Sequence, residues 1–300
     1  MMSRKLELEW LDPKVDFIFK KIFTKEGVLI DFLNAVLKRK NAGDKIVSVI
    51  IENPETKRDF INDKFSVLDI RATTHSGEIV NIEIQRKDEK NMVKRSLYHW
   101  SKLYGEQLVS GDNYRELKKT ICINILDFEY LEEEPNFHNV YKLLNINSLK
   151  ELEAPMEIHY IELPKYENSN DKNDNEALSK WIEFLNHPQD TSKRPEPALK
   201  EAIQELEVLS YDDETRKLYK LRQEAFYEGI RQLNSKFSEG REKGIEEGME
   251  QGMEKKQTQM VQRLFKLGMP LNLIAEAAEI SEKEVEAILA GKKPATVAPQ

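Results

Sequence analysis

The chain has 300 residues, of which 39% are hydrophobic and 33% are charged, so it can build the core of one or two domains. It has no apolar run long enough to cross a bilayer, and its first ten residues, MMSRKLELEW, contain no apolar stretch of signal-peptide length. Its single cysteine, Cys122, excludes an intrachain disulfide and a cysteine-based zinc site, and is expected to be a buried thiol. These features predict a cytoplasmic protein that does not span a membrane.

The formal net charge of −8 argues against nucleic acid as a partner, because phosphate binding needs positive potential. The charge is uneven, however. Residues 1–130 contain 23 Lys or Arg and 21 Asp or Glu, whereas residues 131–300 contain 23 and 33. The N-terminal part is therefore the better candidate for contact with phosphates.

Hydrophobic periodicity in the first 130 residues predicts a helix, three strands, a second helix and a fourth strand. The first helix is expected to break near residues 24–27. The predicted ranges are 13–40 for the first helix, 46–51, 64–74 and 78–86 for the strands, 92–109 for the second helix and 120–128 for the last strand. This order indicates an α/β fold with a mixed sheet flanked by helices, in which a helical crossover places the last strand beside earlier ones.

Beyond residue 130 the chain is more acidic and mainly helical. We predict a strand at 156–163, helices at 181–186 and 197–209, a long charged helix, and a terminal pair of short helices in which Gly268 ends the first and Ser281 caps the second. The proposed divisions are a domain at 10–165, a helical extension at 176–214, the charged helix at 215–262 and a helical hairpin at 263–291.

Glycine recurs every four residues in the charged helix, at Gly240, Gly244, Gly248 and Gly252. Each glycine costs a helix up to about 1 kcal/mol relative to alanine. Either the stripe allows close approach of a second helix, which predicts a homo-oligomer formed through the C-terminal helices, or the glycines are tolerated in a loosely ordered helix.

Strict alternation along residues 78–86 places Glu83 and Gln85 on one face of a strand. Asp69 lies on the preceding strand. A two-residue loop (Ser76-Gly77) would set Asp69 on the opposite face, whereas a three-residue loop starting at His75 would set it opposite Glu83 and require a left-handed Gly77. A bulge near Asp69 would have the same effect.

Opposed carboxylates repel each other unless a cation lies between them. Phosphodiester hydrolysis needs an activated water and neutralisation of charge, and Mg²⁺ held by one or two carboxylates supplies both. Asp69 and Glu83 are suitable oxygen ligands, and the backbone carbonyl of Ile84 is a further candidate.

Four stretches in order resemble the PD-(D/E)xK nuclease superfamily, and most closely its nuclease-family transposases, also known as recombination-promoting nucleases. They are LDPKVDFIFKKIF at 11–23, NIEIQ at 81–85, KRSLYHWSKLYGEQLVSGDNY at 94–114 and ICINILDF at 121–128. The resemblance covers roughly residues 10–165. It implies a restriction-endonuclease-like fold and a metal-dependent DNA endonuclease associated with recombination or transposition, with Mg²⁺ or Mn²⁺ as cofactor.

The resemblance also implies catalytic roles for Asp69, Glu83 and Gln85, with a metal on Asp69, Glu83 and the Ile84 carbonyl. Gln85 stands where the superfamily has lysine, so the site loses a charge and a proton donor. Asp16 on the first helix is either a further acid of the site or a charge favoured by the helix dipole.

The helix at 92–109 carries three cations, which either contact phosphates or form a solvated face. It also carries three aromatic residues, which either stack on bases or pack internally. These residues are Lys94, Arg95, Lys102, Tyr98, Trp100 and Tyr104. The alternative to an active nuclease is a catalytically weak or inactive nuclease-fold protein that binds nucleic acid or acts as an oligomeric interaction module.

Overall fold

The structure is a computed structural model that describes residues 10–52, 70–152, 156–169, 172–190 and 195–291. The chain divides into two compact units, Met1–Lys220 and Leu221–Gln300. None of the described helices is both long enough and apolar enough to cross a membrane.

Six strands of the first unit form one mixed sheet with the order β1-β2-β3-β4-β6-β5. The strands are β1 (Val49–Ile51), β2 (Ile70–Thr74), β3 (Ile79–Gln85), β4 (Thr120–Leu126), β5 (His138–Lys142) and β6 (Met156–Glu162). β3, β4 and β6 run parallel, while β1 with β2, β2 with β3, and β5 with β6 pair antiparallel.

Helices flank this sheet in the first unit, and further helices follow along the chain in the second unit. They are α1 (Asp16–Phe23), α2 (Glu26–Val36), α3 (Met92–Gly105), α4 (Glu176–Asn186), α5 (Pro197–Tyr211), α6 (Asp213–Lys266), α7 (Leu271–Ala278) and α8 (Glu282–Leu289). The predicted break between the first two helices is present, and α3 makes the predicted crossover between the parallel strands β3 and β4. The mixed sheet flanked by helices and followed by a helical region confirms the predicted fold class.

The two sheet faces differ in what covers them. On one face, Val80 and Ile82 of β3 and Ile123 of β4 join the main hydrophobic core, to which α1, α2, α4 and α5 contribute. The other, which we call the α3 face, carries the alternate residues of β3 and β4, among them Glu83 and the buried Cys122. Because α3 packs on this face through Met92 and Leu103, polar groups there lie beneath a single helix.

In the second unit, α6 ends at Lys266, and Gly268 with a φ of +79° follows it. The prediction that Gly268 ends a separate short helix is wrong, since the preceding residues belong to the long helix. α7 and α8 form the terminal pair, and Ser281 caps the second of them as predicted, in a capping box with Glu284. Ile274 and Val285 are buried between these helices and the end of α6.

The strand β5 was not predicted, and the first strand is shorter than the predicted range 46–51. β5 is a short edge strand with the sequence HNVYK, and its residues are half-buried or exposed. Edge strands of this kind lack the apolar alternation that identifies a strand in sequence.

Pairing of β5 with β6 brings two histidines into contact. His138 Nε2 lies 2.9 Å from His159 Nδ1, and His159 Nε2 lies 2.8 Å from Glu157 Oε1. Burial, together with the charges of His159 and Lys38, lowers the pKa of His138 to about 3. Burial alone would raise the pKa of Glu157, but hydrogen bonds from His159 and Lys119 lower it to about 2.

This network predicts that acid destabilises the first unit. Unfolded His138 gains a proton near its ordinary pKa of 6.5, whereas the folded residue stays neutral down to about pH 3. Above pH 6.5 His138 is neutral in both states and does not affect the free energy of unfolding. As the pH falls from 6.5 towards 3, protonation of the unfolded state alone lowers the free energy of unfolding. At pH 5 the loss due to His138 is on the order of 2 kcal/mol, and His138→Gln should remove it.

Denaturant unfolding at pH 7.5 and pH 5, followed by tryptophan fluorescence, measures this effect, because Trp10, Trp100 and Trp181 all lie in the first unit. His75→Gln, at an exposed histidine, is the matched control and should keep the wild-type pH dependence. An unchanged pH dependence in His138→Gln would contradict the assignment.

Candidate active site

Glu83 is a buried carboxylate on β3, with 3% of its surface exposed. Strand alternation directs it to the α3 face, where it lies in register with Asn124 of β4. Arg95 of α3 reaches down to it, with Nε at 2.7 Å and Nη2 at 2.5 Å from Glu83 Oε1. A buried charge needs such a partner, so the fold places a full ion pair between the sheet and this helix.

Gln85 lies two residues further along β3 on the same face and is half-buried. Its Nε2 donates a hydrogen bond to Glu83 Oε1, the same oxygen that accepts from Arg95. The structure therefore brings together two of the predicted site residues, Glu83 and Gln85, and adds Arg95. Arg95 is half-buried and paired with Glu83, whereas Lys94 and Lys102 are exposed.

The side chain of Ile84 points into the main core on the opposite face of the sheet. The direction of its backbone carbonyl follows from that of the next residue, Gln85. The carbonyl of Gln85 accepts from the Asp127 N–H at 2.8 Å, on the β4 side of the strand. Because backbone groups alternate in direction along a strand, the Ile84 carbonyl points towards the β2 side.

The loop between β2 and β3 has three residues, from His75 to Gly77. The N–H of Thr74 donates to the Glu78 carbonyl at 2.9 Å, and that of Gly77 donates to the Thr74 carbonyl at 2.8 Å. Gly77 has the left-handed φ of +85° that this loop requires. Of the two loops considered from sequence, the structure has the one that pairs Ile70 with Ile82. Asp69, the residue before Ile70, lies outside the described residues.

Asp16 lies on the first turn of α1, where its Oδ1 accepts a hydrogen bond from the Phe17 N–H at 2.7 Å. The segment just before this helix is anchored at the carboxyl ends of β3 and β4. Lys14 Nζ lies 2.9 Å from Asp127 Oδ1, and Arg86 Nη2 lies 3.5 Å from an oxygen of Asp12. A role for Asp16 as a further acid stays a prediction.

Contacts along α3 fix the position of Arg95. Ser96 Oγ lies 3.0 Å from Asn124 Oδ1, and Trp100 Nε1 donates to the Thr120 carbonyl at 3.1 Å. Trp100 is partly buried against the cluster on the α3 face and also stacks on the half-buried Tyr104, with ring centroids 5.0 Å apart. Tyr98, in contrast, is 64% exposed and remains a candidate for base stacking.

Comparison of the sequence with models of known protein families identifies the family of this chain. The sequence model described as PD-(D/E)XK nuclease family transposase matches residues 13–235, which is most of the chain. The chain belongs to this family. The comparisons with curated proteins and with solved structures yielded no significant match.

PD-(D/E)XK nucleases generally use divalent metals, and the family implies DNA as substrate. Within the ranges that the structure describes, no group of three His, Cys, Asp or Glu residues is arranged to hold a metal. The oxygens present still suit a hard cation. They are the buried Glu83 carboxylate and the Ile84 carbonyl, which is directed to the β2 side of the same strand.

The geometry of the hairpin loop yields a stability prediction. Gly77→Ala forces a side chain into a left-handed conformation and should lower the free energy of unfolding by about 1–2 kcal/mol. The strain comes from the backbone, because the added Cβ would meet only the flexible Lys118 side chain, at 3.4 Å. Denaturant unfolding measures the change.

Gly43→Ala is the matched control. Gly43 also lies in a loop, its φ is not positive, and a Cβ built there meets nothing within 4 Å among the described residues. Equal stability losses in the two variants would show that the Gly77 conformation does not constrain the hairpin.

Proposed function

We propose that this family member is a metal-dependent DNA endonuclease whose centre combines Asp69 and Glu83. The supporting observation is the register of the β2–β3 hairpin. Ile70 pairs with Ile82, so continuation of the ladder by one residue would set Asp69 opposite Glu83, on the same face. The backbone groups of Ile79 and Gln85 bond on the β4 side, so those of Glu83 also point towards β4. Asp69 and Glu83 would then form a non-hydrogen-bonded pair, in which Cα atoms typically lie about 4.5 Å apart.

In this proposal Asp69, Glu83 and the carbonyl of Ile84 hold Mg²⁺ or Mn²⁺. When bound, the cation supplies an activated water and neutralises charge on the scissile phosphate. Gln85 orients the attacking water through its amide, and Asp16 on α1 is a further acid of the site. Gln85 has no charge and cannot replace the lysine of the superfamily as a proton donor of comparable strength.

DNA would approach α3, which presents the exposed cations Lys94 and Lys102 and the exposed ring of Tyr98. The N-terminal 130 residues carry a small positive balance, so this part of the chain is the suitable one for contact with phosphates. The biological setting that the family name suggests is recombination or transposition. A cytoplasmic location stays a prediction.

The competing function is a nuclease fold that binds nucleic acid without cutting it, or that serves as an oligomeric interaction module. Two observations favour it: a neutral Gln85 at the lysine position, and a net charge of −8 for the chain. Calorimetric titration with Mn²⁺ separates the two functions. DNA binding without any metal binding would support the non-catalytic alternative.

The nuclease proposal predicts that the protein nicks or cuts DNA with Mg²⁺ or Mn²⁺, and that Asp69→Ala and Asp69→Asn abolish cutting. Loss of one metal carboxylate removes the charge that holds the cation. Gel electrophoresis of a supercoiled plasmid distinguishes nicking of one strand from cutting of both strands. Glu133→Gln, at an exposed carboxylate, is the control and should cut at the wild-type rate. Equal cutting by the Asp69 variants would reject the assignment.

We also propose that the chain self-associates through α6. A Cβ built on Gly240, Gly244, Gly248 or Gly252 would meet no atom within 4 Å among the described residues. Packing within the described chain therefore gives no reason for four glycines in this helix, whereas a second α6 that approaches closely would give one.

The double variant Gly244→Gln and Gly248→Gln tests this proposal. Glutamine is a better helix former than glycine, so helicity by circular dichroism should rise while the mass measured by light scattering falls from oligomer to monomer. Gly229→Gln, in the same helix but outside the stripe, should leave the mass unchanged. An oligomer that persists in the double variant would contradict self-association through the glycines.

A further inference from the structure

The ion pair between Arg95 and Glu83 has an unusual distribution of donors. Arg95 places both Nε and Nη2 on one carboxylate oxygen, Oε1, and Gln85 donates to that same oxygen. A carboxylate has about four acceptor positions over its two oxygens, so three donors on one oxygen saturate it. A cation that binds through Oε1 has to displace at least the guanidinium.

The two partners also differ in exposure. The Glu83 side chain is 4% exposed, whereas that of Arg95 is 35% exposed. The carboxylate is therefore enclosed in the layer between sheet and helix, while the guanidinium lies at its margin and is partly accessible to solvent. Guanidinium groups bind phosphate oxygens with two parallel hydrogen bonds, so an approaching DNA backbone offers Arg95 a partner equivalent to the one it leaves.

We propose that Arg95 is an exchangeable counter-ion, which neutralises Glu83 until a divalent cation replaces it and then binds the DNA phosphate. The inference rests on the proposed function, because it assumes that Glu83 is a metal ligand. Arg95 competes with the metal in the absence of DNA. DNA removes this competition, so metal and DNA each strengthen the binding of the other.

Calorimetric titration with Mn²⁺ in the absence of DNA tests the competition. Arg95→Gln removes the competing charge and should bind Mn²⁺ at least about fivefold more tightly than the wild type, the lower end of typical coupling between two ligands. Arg95→Lys keeps the charge but loses the planar pair of donors, and should lie between the two. Lys94→Gln, the neighbouring exposed cation on α3, should change the affinity less than twofold.

The opposite result identifies a purely structural role. If Arg95 only holds Glu83 in place, Arg95→Gln disorders the carboxylate and weakens Mn²⁺ binding, which would overturn the inference. Thermal unfolding with and without Mn²⁺ provides a second readout in the same variants. An exchangeable Arg95 predicts a larger rise in Tm on addition of Mn²⁺ in Arg95→Gln than in wild type, and an equal or smaller rise contradicts it.

Failure of the inference and failure of the proposed function give different results. No Mn²⁺ binding by the wild type, or equal binding by Glu83→Gln, removes the metal site itself and the inference with it. Binding that depends on Glu83 but is not tightened by Arg95→Gln preserves the site and overturns only the role of Arg95.

Fluorescence anisotropy of a labelled, cleavage-resistant phosphorothioate duplex tests the exchange with DNA. Mn²⁺ should increase the DNA affinity of the wild type more than that of Arg95→Gln, because only the wild type has a guanidinium to release. Lys94→Gln should weaken DNA binding with and without Mn²⁺ by the same factor. An equal effect of Mn²⁺ in wild type and Arg95→Gln would overturn the exchange.

Discussion

The negative charge of Glu83, buried beneath α3, is the constraint on which the arrangement of this site depends. A carboxylate with 3% exposure is tolerated only beside a cation or several donors, and here Arg95 and Gln85 converge on one of its oxygens. Removal of the cation without replacement leaves an uncompensated charge between two packed layers. While it stays ionised and buried, the Glu83 carboxylate therefore needs a positively charged partner or an equivalent set of donors.

The rest of the first unit serves to hold this charge in place. Alternation along β3 separates apolar Val80 and Ile82, which anchor the strand in the main core, from Glu83 on the other face. The crossover helix α3 starts just after β3 and returns the chain to the parallel strand β4, so Arg95 passes directly over the carboxylate. Glu83 and Gln85 are thereby set on a strand rather than on a loop.

Local sequence rules predicted much of this architecture but not its long-range contacts. The alternation of β3 is a property of neighbouring residues, and the order of strands and helices indicated the helical crossover. The left-handed Gly77 followed from one of the two loops that the sequence left open. The pairing of Arg95 with Glu83 and that of His138 with His159 depend on register between separate elements, which a single sequence does not contain. β5 was missed because an exposed edge strand has no apolar alternation, and Asp69 lies outside the described residues.

The most direct measurement of the central claim is the anomalous scattering of a crystal of the protein soaked in Mn²⁺. The account predicts one strong peak about 2.1 Å from a Glu83 oxygen, with Asp69 and the Ile84 carbonyl in the same coordination shell and the Arg95 guanidinium displaced from the carboxylate. A peak that contacts neither acidic residue, or no peak while Arg95 stays on Glu83, would contradict it.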